Sequence, residues 1–229
     1  MLKMWDGHEP SEFFDLRDWW GIAGFTESSL ADNAKFRKIL DGYLGQKHFK
    51  RKMSIISCDL NSGQTIIFDE TMSFEDRLDC ILSSTTVPLV FPTVQLDDTV
   101  LVDGSLFSTI SIGDPIERCR QEVSSDVDII VDVITCYSER LEIDPWTAAD
   151  LDWLNAWSYY DRRKHIKSYY LYKEDLVRSM RGYHDVQFRF IVTPSEALAA
   201  NSFIPIFATK EEIRAEIDQG YKDGSTAAK

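Results

Sequence analysis

The feature that most constrains this chain is a set of short apolar, β-branched runs separated by helix-length segments. The runs cover residues 53–58, 65–68, 100–102, 127–134 and 187–192. Residues 126–135 are nearly continuous in Val and Ile after the first few positions. A strand without polar alternation suits a sheet covered on both faces, as parallel sheets are. Helical patterning falls between the runs: residues 29–44, 73–83, 114–122, a long stretch within 145–180, and 210–219. Ser73, followed by Glu75 and Asp76, marks a helix start, with an acceptor at the cap and acids in the first turn. Strands alternating with helices predict an α/β domain. At 229 residues the chain can bury a sizeable core in one domain, and length alone does not require two.

Charge and composition then exclude several function classes. The net charge is −13, whereas a nucleic-acid binder normally carries a basic patch. The same balance disfavours purely electrostatic docking on anionic membranes, so contact with lipid is expected to be mainly hydrophobic. No run of about 18 apolar residues marks a transmembrane helix. The stretch from Met1 through Asp6 has no apolar core of the kind a signal peptide needs, which makes the cytoplasm the default location. Cys58, Cys80, Cys119 and Cys136 are widely spaced and read as small buried hydrophobes in a reducing compartment. His8, His48, His165 and His184 show no H-E-x-x-H spacing and no cysteine partners. No zinc site is expected, and no cofactor.

Residues 146–172 are rich in large aromatics: Trp146, Trp153, Trp157, Tyr159, Tyr160, Tyr169, Tyr170 and Tyr172. Trp153, Trp157 and Tyr160 stand at i, i+4 and i+7, which is one helix face. The plainer reading, preferred here, is a helix that packs its aromatics on the domain. The sharper one is an interfacial segment, since Trp and Tyr suit a half-wet environment.

The chemistry concentrates between residues 54 and 119. Asn61, Ser62 and Gly63 mark a tight turn between two strands. After the helix at 73–83, Pro88 and Pro92 rule out a regular helix. Asp97 and Asp98 precede the strand at 100–102, which ends in Asp103, Gly104 and Ser105. A carboxylate within hydrogen-bond reach of a hydroxyl serves as a general base when burial tunes its pKa. Asp103 has that setting, at the end of an apolar strand. The competing role is a strand-end or capping aspartate. Gly104 allows a close backbone approach.

Taken in order, these residues resemble the patatin-like phospholipase family. Its members carry a strand–turn–strand, a helix, an A-S/T-x-x-x-P-x-x-F-P-P stretch, and a strand ending in Asp-Gly-Gly or Asp-Gly-Ala. The corresponding positions are Ser84, Thr85, Pro88, Phe91 and Pro92, then Val102, Asp103, Gly104 and Ser105. The segment from Lys210 to Gly220 and Tyr221 is similar to the family's closing helix. The resemblance begins near Leu30 and implies a three-layer αβα sandwich, incomplete at the N-terminus. Residues 1–29 stay unassigned, residues 30–229 form about two-thirds of one domain, and residues 146–183 read as an insertion. The implied activity is lipid acyl hydrolysis by a Ser–Asp dyad without metal or cofactor. Asp103 is then the general base, and Gly104 and Ser105 complete its motif. The implied partner is a lipid substrate or membrane surface, including lipid droplets.

The family's serine sits in G-x-S-x-G. No such pentapeptide occurs in the chain, and the glycine-rich oxyanion loop is also missing. An N-terminal truncation is the expectation, with self-association through an unpaired sheet edge as its consequence. Ser105 replaces the motif's third Gly or Ala. Ser108, Thr109 and Ile110 stand where Asn-x-Pro is usual. Two alternatives follow: a catalytically inactive module that binds lipid or a partner, and an unrelated α/β enzyme using Asp59, Asp103 or Asp132 with a metal.

Overall fold

The computed structural model describes residues 12–17, 28–44, 48–141, 143, 145–196, 198 and 209–229. These fall into two compact units, Met1–Ser111 with Ile206–Lys210 and Ile112–Pro205 with Glu211–Lys229.

The first unit is built on two hairpins. Strands β3 (Ser54–Asp59) and β4 (Thr65–Asp69) pair antiparallel around the turn expected at residues 61–63. Gly63 takes a φ of 70°, the left-handed conformation that a tight turn asks of glycine. Strands β5 (Val94–Leu96) and β6 (Thr99–Asp103) form the second hairpin. Its turn uses Asp97 at a φ of 49°, a conformation that Asp tolerates. Pairing of β3 with β6 joins the hairpins into one antiparallel sheet, in the order β4-β3-β6-β5. A two-residue pair, β1 (Asp15–Leu16) with β2 (Ala31–Asp32), lies outside this sheet.

The helix expected over 29–44 starts later than its pattern suggests. Ala31 and Asp32 are taken by strand pairing, and α1 runs Ala34–Leu44. Asp32 Oδ1 accepts from the Ala34 amide at 2.7 Å, so the local capping bond sets the start. Helix α2 is Arg77–Ser83, shorter than the expected 73–83. Ser73 does accept from the Asp76 amide at 3.0 Å, four residues before the first regular turn. The core gathers Phe13, Phe36, Leu40, Leu82, Val94 and Leu101. Phe13 comes from the stretch that the sequence pattern left unassigned.

Between α2 and β5 the chain makes one strained turn. Val90 N donates to Val87 O at 3.1 Å, with Pro88 and Leu89 at its corners. Leu89 sits at a φ of 72° and is 68% exposed. That geometry resembles a type II turn, whose third position favours glycine. The left-handed conformation costs a leucine about 1–2 kcal/mol, and glycine gives back about 0.5–1 kcal/mol in the unfolded chain. Leu89→Gly is therefore expected to stabilise the protein by about 0.5–1 kcal/mol in urea unfolding. A loss of stability would show that the Leu89 side chain holds the turn.

The second unit contains α3 (Gly113–Arg120), β7 (Ile130–Ile134), α4 (Ala156–Gly182), β8 (Gln187–Val192) and most of α5 (Lys210–Ala227). Strands β7 and β8 pair in parallel, as the Val/Ile run suggests. Among the described residues one face of β7 stays open: Ile134 is 79% exposed, and Asp132 on the same face pairs with Arg189. Residues 126–128 form a 3-10 turn and not strand. Helix α5 runs past residue 219 through Gly220 and Gly224. Trp153 precedes α4, so it does not share a helix face with Tyr160. The described residues thus mix helix with antiparallel and parallel strand. None of the helices among them is long and apolar enough to cross a membrane.

Candidate functional site

Asp103 is the last residue of β6, opposite Ser57 in the register with β3. Directly opposed residues share a face of the sheet. Its amide donates to Thr86 O at 2.9 Å, which ties the end of β6 to the stretch containing Pro88, Phe91 and Pro92. That stretch is held in turn from the other side. Leu30 N donates to Leu89 O at 2.9 Å, and Ala31 N donates to Val90 O at 2.8 Å. Phe91 packs on Phe14 with ring centroids 4.6 Å apart. The two halves of the sequence motif, joined through the β5–β6 hairpin, therefore meet where the Asp103 amide binds Thr86 O.

The carboxylate has a defined local role. Oδ1 of Asp103 accepts from the Ser105 amide at 2.8 Å and caps a 3-10 turn over Gly104–Leu106. The capping role weighed from sequence is thus present. It does not exclude basicity, because burial raises the Asp103 pKa above the ordinary aspartate value. The hydrogen bonds from the Ser105 amide and hydroxyl oppose that shift in part.

Gly104 explains why the strand must end this way. It is buried, and a Cβ placed there would lie 2.7 Å from the Ile56 carbonyl oxygen and 2.9 Å from its carbon. Only glycine lets β6 turn this tightly against β3. Beyond it, the Phe107 and Ser108 amides both donate to Gly104 O, and the Ser108 hydroxyl donates to Ile110 O at 3.1 Å. Ser108 and Ile110, which with Thr109 depart from the Asn-x-Pro pattern, hold this loop by those bonds.

Behind the site lies a short chain of buried hydroxyls that the sequence pattern did not single out. Ser83 donates to Cys80 O at 2.8 Å, and the Ser57 and Ser83 oxygens are 2.7 Å apart. The Ser83 proton is committed, so Ser57 is the donor in that pair. Thr86 donates to Leu82 O at 2.9 Å. The signal available in sequence was the polar run from Ser83 to Thr86 at the end of an apolar helix. No known family model matches the chain, and no curated protein matches it.

Asp59 and Asp132 have different work. Asp59 is buried and accepts from the Asn61, Ser62 and Val100 amides and, at 2.6 Å, from the Ser62 hydroxyl. These bonds, led by the Ser62 hydroxyl, hold its pKa below the ordinary value. Asp59 fastens the β3–β4 turn to β6. Its contribution to stability is present above the unfolded aspartate pKa and is lost as pH falls through the lower folded one. Asp59→Ala is expected to lower the Tm at neutral pH, with the deficit shrinking in acid. An unchanged Tm at pH 7 would remove the structural role. Asp132 lies on an exposed strand, where its pairing with Arg189 lowers its pKa. Among the described residues, no three His, Cys, Asp or Glu side chains gather into a group able to hold a metal ion.

Proposed function

We propose that this chain carries the general-base aspartate of a patatin-like lipid acyl hydrolase, with Asp103 in that role. One observation carries the reading. A carboxylate with a raised pKa stands at a strand end where a glycine forces close backbone passage, beside the proline-bounded stretch of the same sequence motif. Such a carboxylate takes the proton of a serine hydroxyl as that oxygen attacks a lipid ester, and returns it to the leaving alkoxide. Ser105 and Gly104 shape the loop, and neither supplies the nucleophile in this reading. The serine belongs to a G-x-S-x-G element that the 229 residues do not contain. The finer fold, a three-layer αβα sandwich, belongs to the same proposal.

The deciding experiment reads the gene upstream of Met1 and expresses the chain together with what it encodes. An in-frame G-x-S-x-G, with phospholipid or acylglycerol hydrolysis that depends on Asp103, supports the proposal. A stop codon directly upstream overturns it. It would favour instead a module that binds lipid without turnover, a role for which the missing serine is the motivation.

A further inference from the structure

We propose that the outward face of α4 docks on an anionic lipid surface. The helix runs from Ala156 to Gly182, 27 residues and about 40 Å at 1.5 Å per residue. It holds seven Arg and Lys (162, 163, 164, 167, 173, 178 and 181) against three Asp and Glu (161, 174 and 175). That is a surplus of four positive charges in a chain of −13, so the other residues together carry −17. Positive charge is therefore concentrated on one element of an acidic protein.

The placement on the helix matters more than the count. Tyr160, Arg163, Lys167, Tyr170, Val177 and Arg181 recur at steps of three, four and seven, so they form one stripe, and all are exposed. Tyr170 is 61% exposed. The opposite face turns inward, with Tyr172 and Leu176 buried and Tyr172 stacked on Tyr137 at 5.0 Å. Arg163, Lys167 and Arg181 make no ion pair among the described residues. The acid on the stripe, Glu174, accepts from Arg178 at 2.6 Å and so does not offset them.

Half-exposed tyrosines interleaved with unpaired cations match the layered chemistry of a bilayer interface. There phenol rings sit at headgroup depth, and Arg and Lys reach phosphate and carboxylate groups. The helix is too polar to span a membrane, which leaves it lying in the surface plane. A nucleic acid is the weaker fit, since a convex helix flank offers no groove to track a strand. This inference stands apart from the Asp103 proposal. Vesicle binding is read without turnover, so either can fail while the other holds.

The test measures binding of the purified chain to vesicles of phosphatidylcholine alone and of phosphatidylcholine with phosphatidylserine. Binding is expected only with the anionic lipid and should weaken as salt rises. Each cation near such a surface contributes about five-fold, so Arg163→Gln, Lys167→Gln and Arg181→Gln together should weaken binding on the order of 100-fold. Tyr160→Ala with Tyr170→Ala should weaken it at constant charge. The same triple neutralisation at Lys50, Arg51 and Lys52 should leave it unchanged, and circular dichroism checks that each variant keeps its helix content. If the triple variant loses helix, Arg181→Gln alone must still lower anionic-vesicle binding several-fold. Equal binding to both vesicle types overturns the proposal, as does an equal loss in the control triple. Tighter binding to single-stranded DNA than to vesicles also overturns it, as does a dimer that the stripe substitutions dissociate.

Discussion

Asp103→Asn is expected to lower lipid ester hydrolysis by about 10²–10⁴-fold, measured as kcat/KM in a protein that includes the nucleophilic serine, with the fold retained. The amide has the shape of the carboxyl group, and its Oδ1 still accepts from the Ser105 amide that Asp103 holds at 2.8 Å. What it loses is basicity, so the substitution separates the catalytic from the capping role. Stability gives a second readout. Burial raises the Asp103 pKa in the folded state, so folding favours the protonated carboxyl. The stability tied to that proton is fully present below the unfolded pKa and is lost as pH rises through the higher folded one. At neutral pH the ionised group therefore weighs against the fold. Asp103→Asn removes that weight, so the variant's Tm at pH 7 should equal or exceed the wild type's. The gain should vanish as pH falls below the ordinary aspartate range. Hydrolysis itself needs the ionised form, so the acid limb of the wild-type rate profile should lie above an ordinary aspartate's. Hydrolysis retained within a few-fold would remove Asp103 from catalysis. A Tm well below wild type at pH 7 would make capping its main task.

The contrast with Asp59 shows why one of two nearby aspartates is singled out. They lie on neighbouring strands of one sheet, and their environments push their pKa values in opposite directions. Asp59 is saturated by donors, led by the Ser62 hydroxyl, which favours the charged form. Asp103 has Ser105 alone against the cost of burial. Groups separated in this way are the usual source of acid and base roles. From sequence Asp103 was singled out as the base by its place at a strand end, and Asp59 stood beside it only in the metal alternative. The difference lies in which amides reach each carboxylate, and that depends on strand register.

The strands at 53–58, 65–68 and 100–102 were legible because each is an apolar run bounded by turn residues. Strand β5 was not, since Val94, Gln95 and Leu96 are too few for a period. Phe13 joins the core through Phe36, whose amide donates to Phe13 O at 2.9 Å and whose ring lies 5.8 Å away, a long-range contact that no local pattern encodes. The bulk charge of −13 argued against an electrostatic lipid surface because it averages over the whole chain. The reversal on α4 becomes visible only once the helix fixes which cations share a face with Tyr160 and Tyr170. The aromatic segment divides accordingly: Tyr172 packs inward, as the plainer reading holds, while Tyr160 and Tyr170 face out.

The largest stability effect is expected at Gly104. In Gly104→Ala the new methyl meets Ile56 O at 2.7 Å, its carbon at 2.9 Å and its Cγ2 at 2.8 Å. Two of those atoms are backbone in the strand pair at the centre of the sheet, so no rotamer change relieves them. Overpacking of this kind costs about 1–3 kcal/mol and occasionally more, and a backbone obstacle places this site at the upper end. For a chain of this size that is roughly 2–4 °C of Tm per kcal/mol. Truncating Ile56 to Ala removes Cγ2 but leaves the carbonyl, so Ile56→Ala should fail to rescue Gly104→Ala. Gly220→Ala is the matching control. It lies inside α5 with nothing within 4 Å of the added carbon, and should stabilise by about 0.5–1 kcal/mol through helix propensity. The same displacement should reach the chemistry, because separating β6 from β3 moves the Asp103 carboxylate. Misplacement by about 1 Å can cost 10²-fold in rate. Urea unfolding of the four proteins decides the point. Gly104→Ala within 0.5 kcal/mol of wild type, or rescue by Ile56→Ala, would show that β6 does not depend on the backbone contact between Gly104 and Ile56.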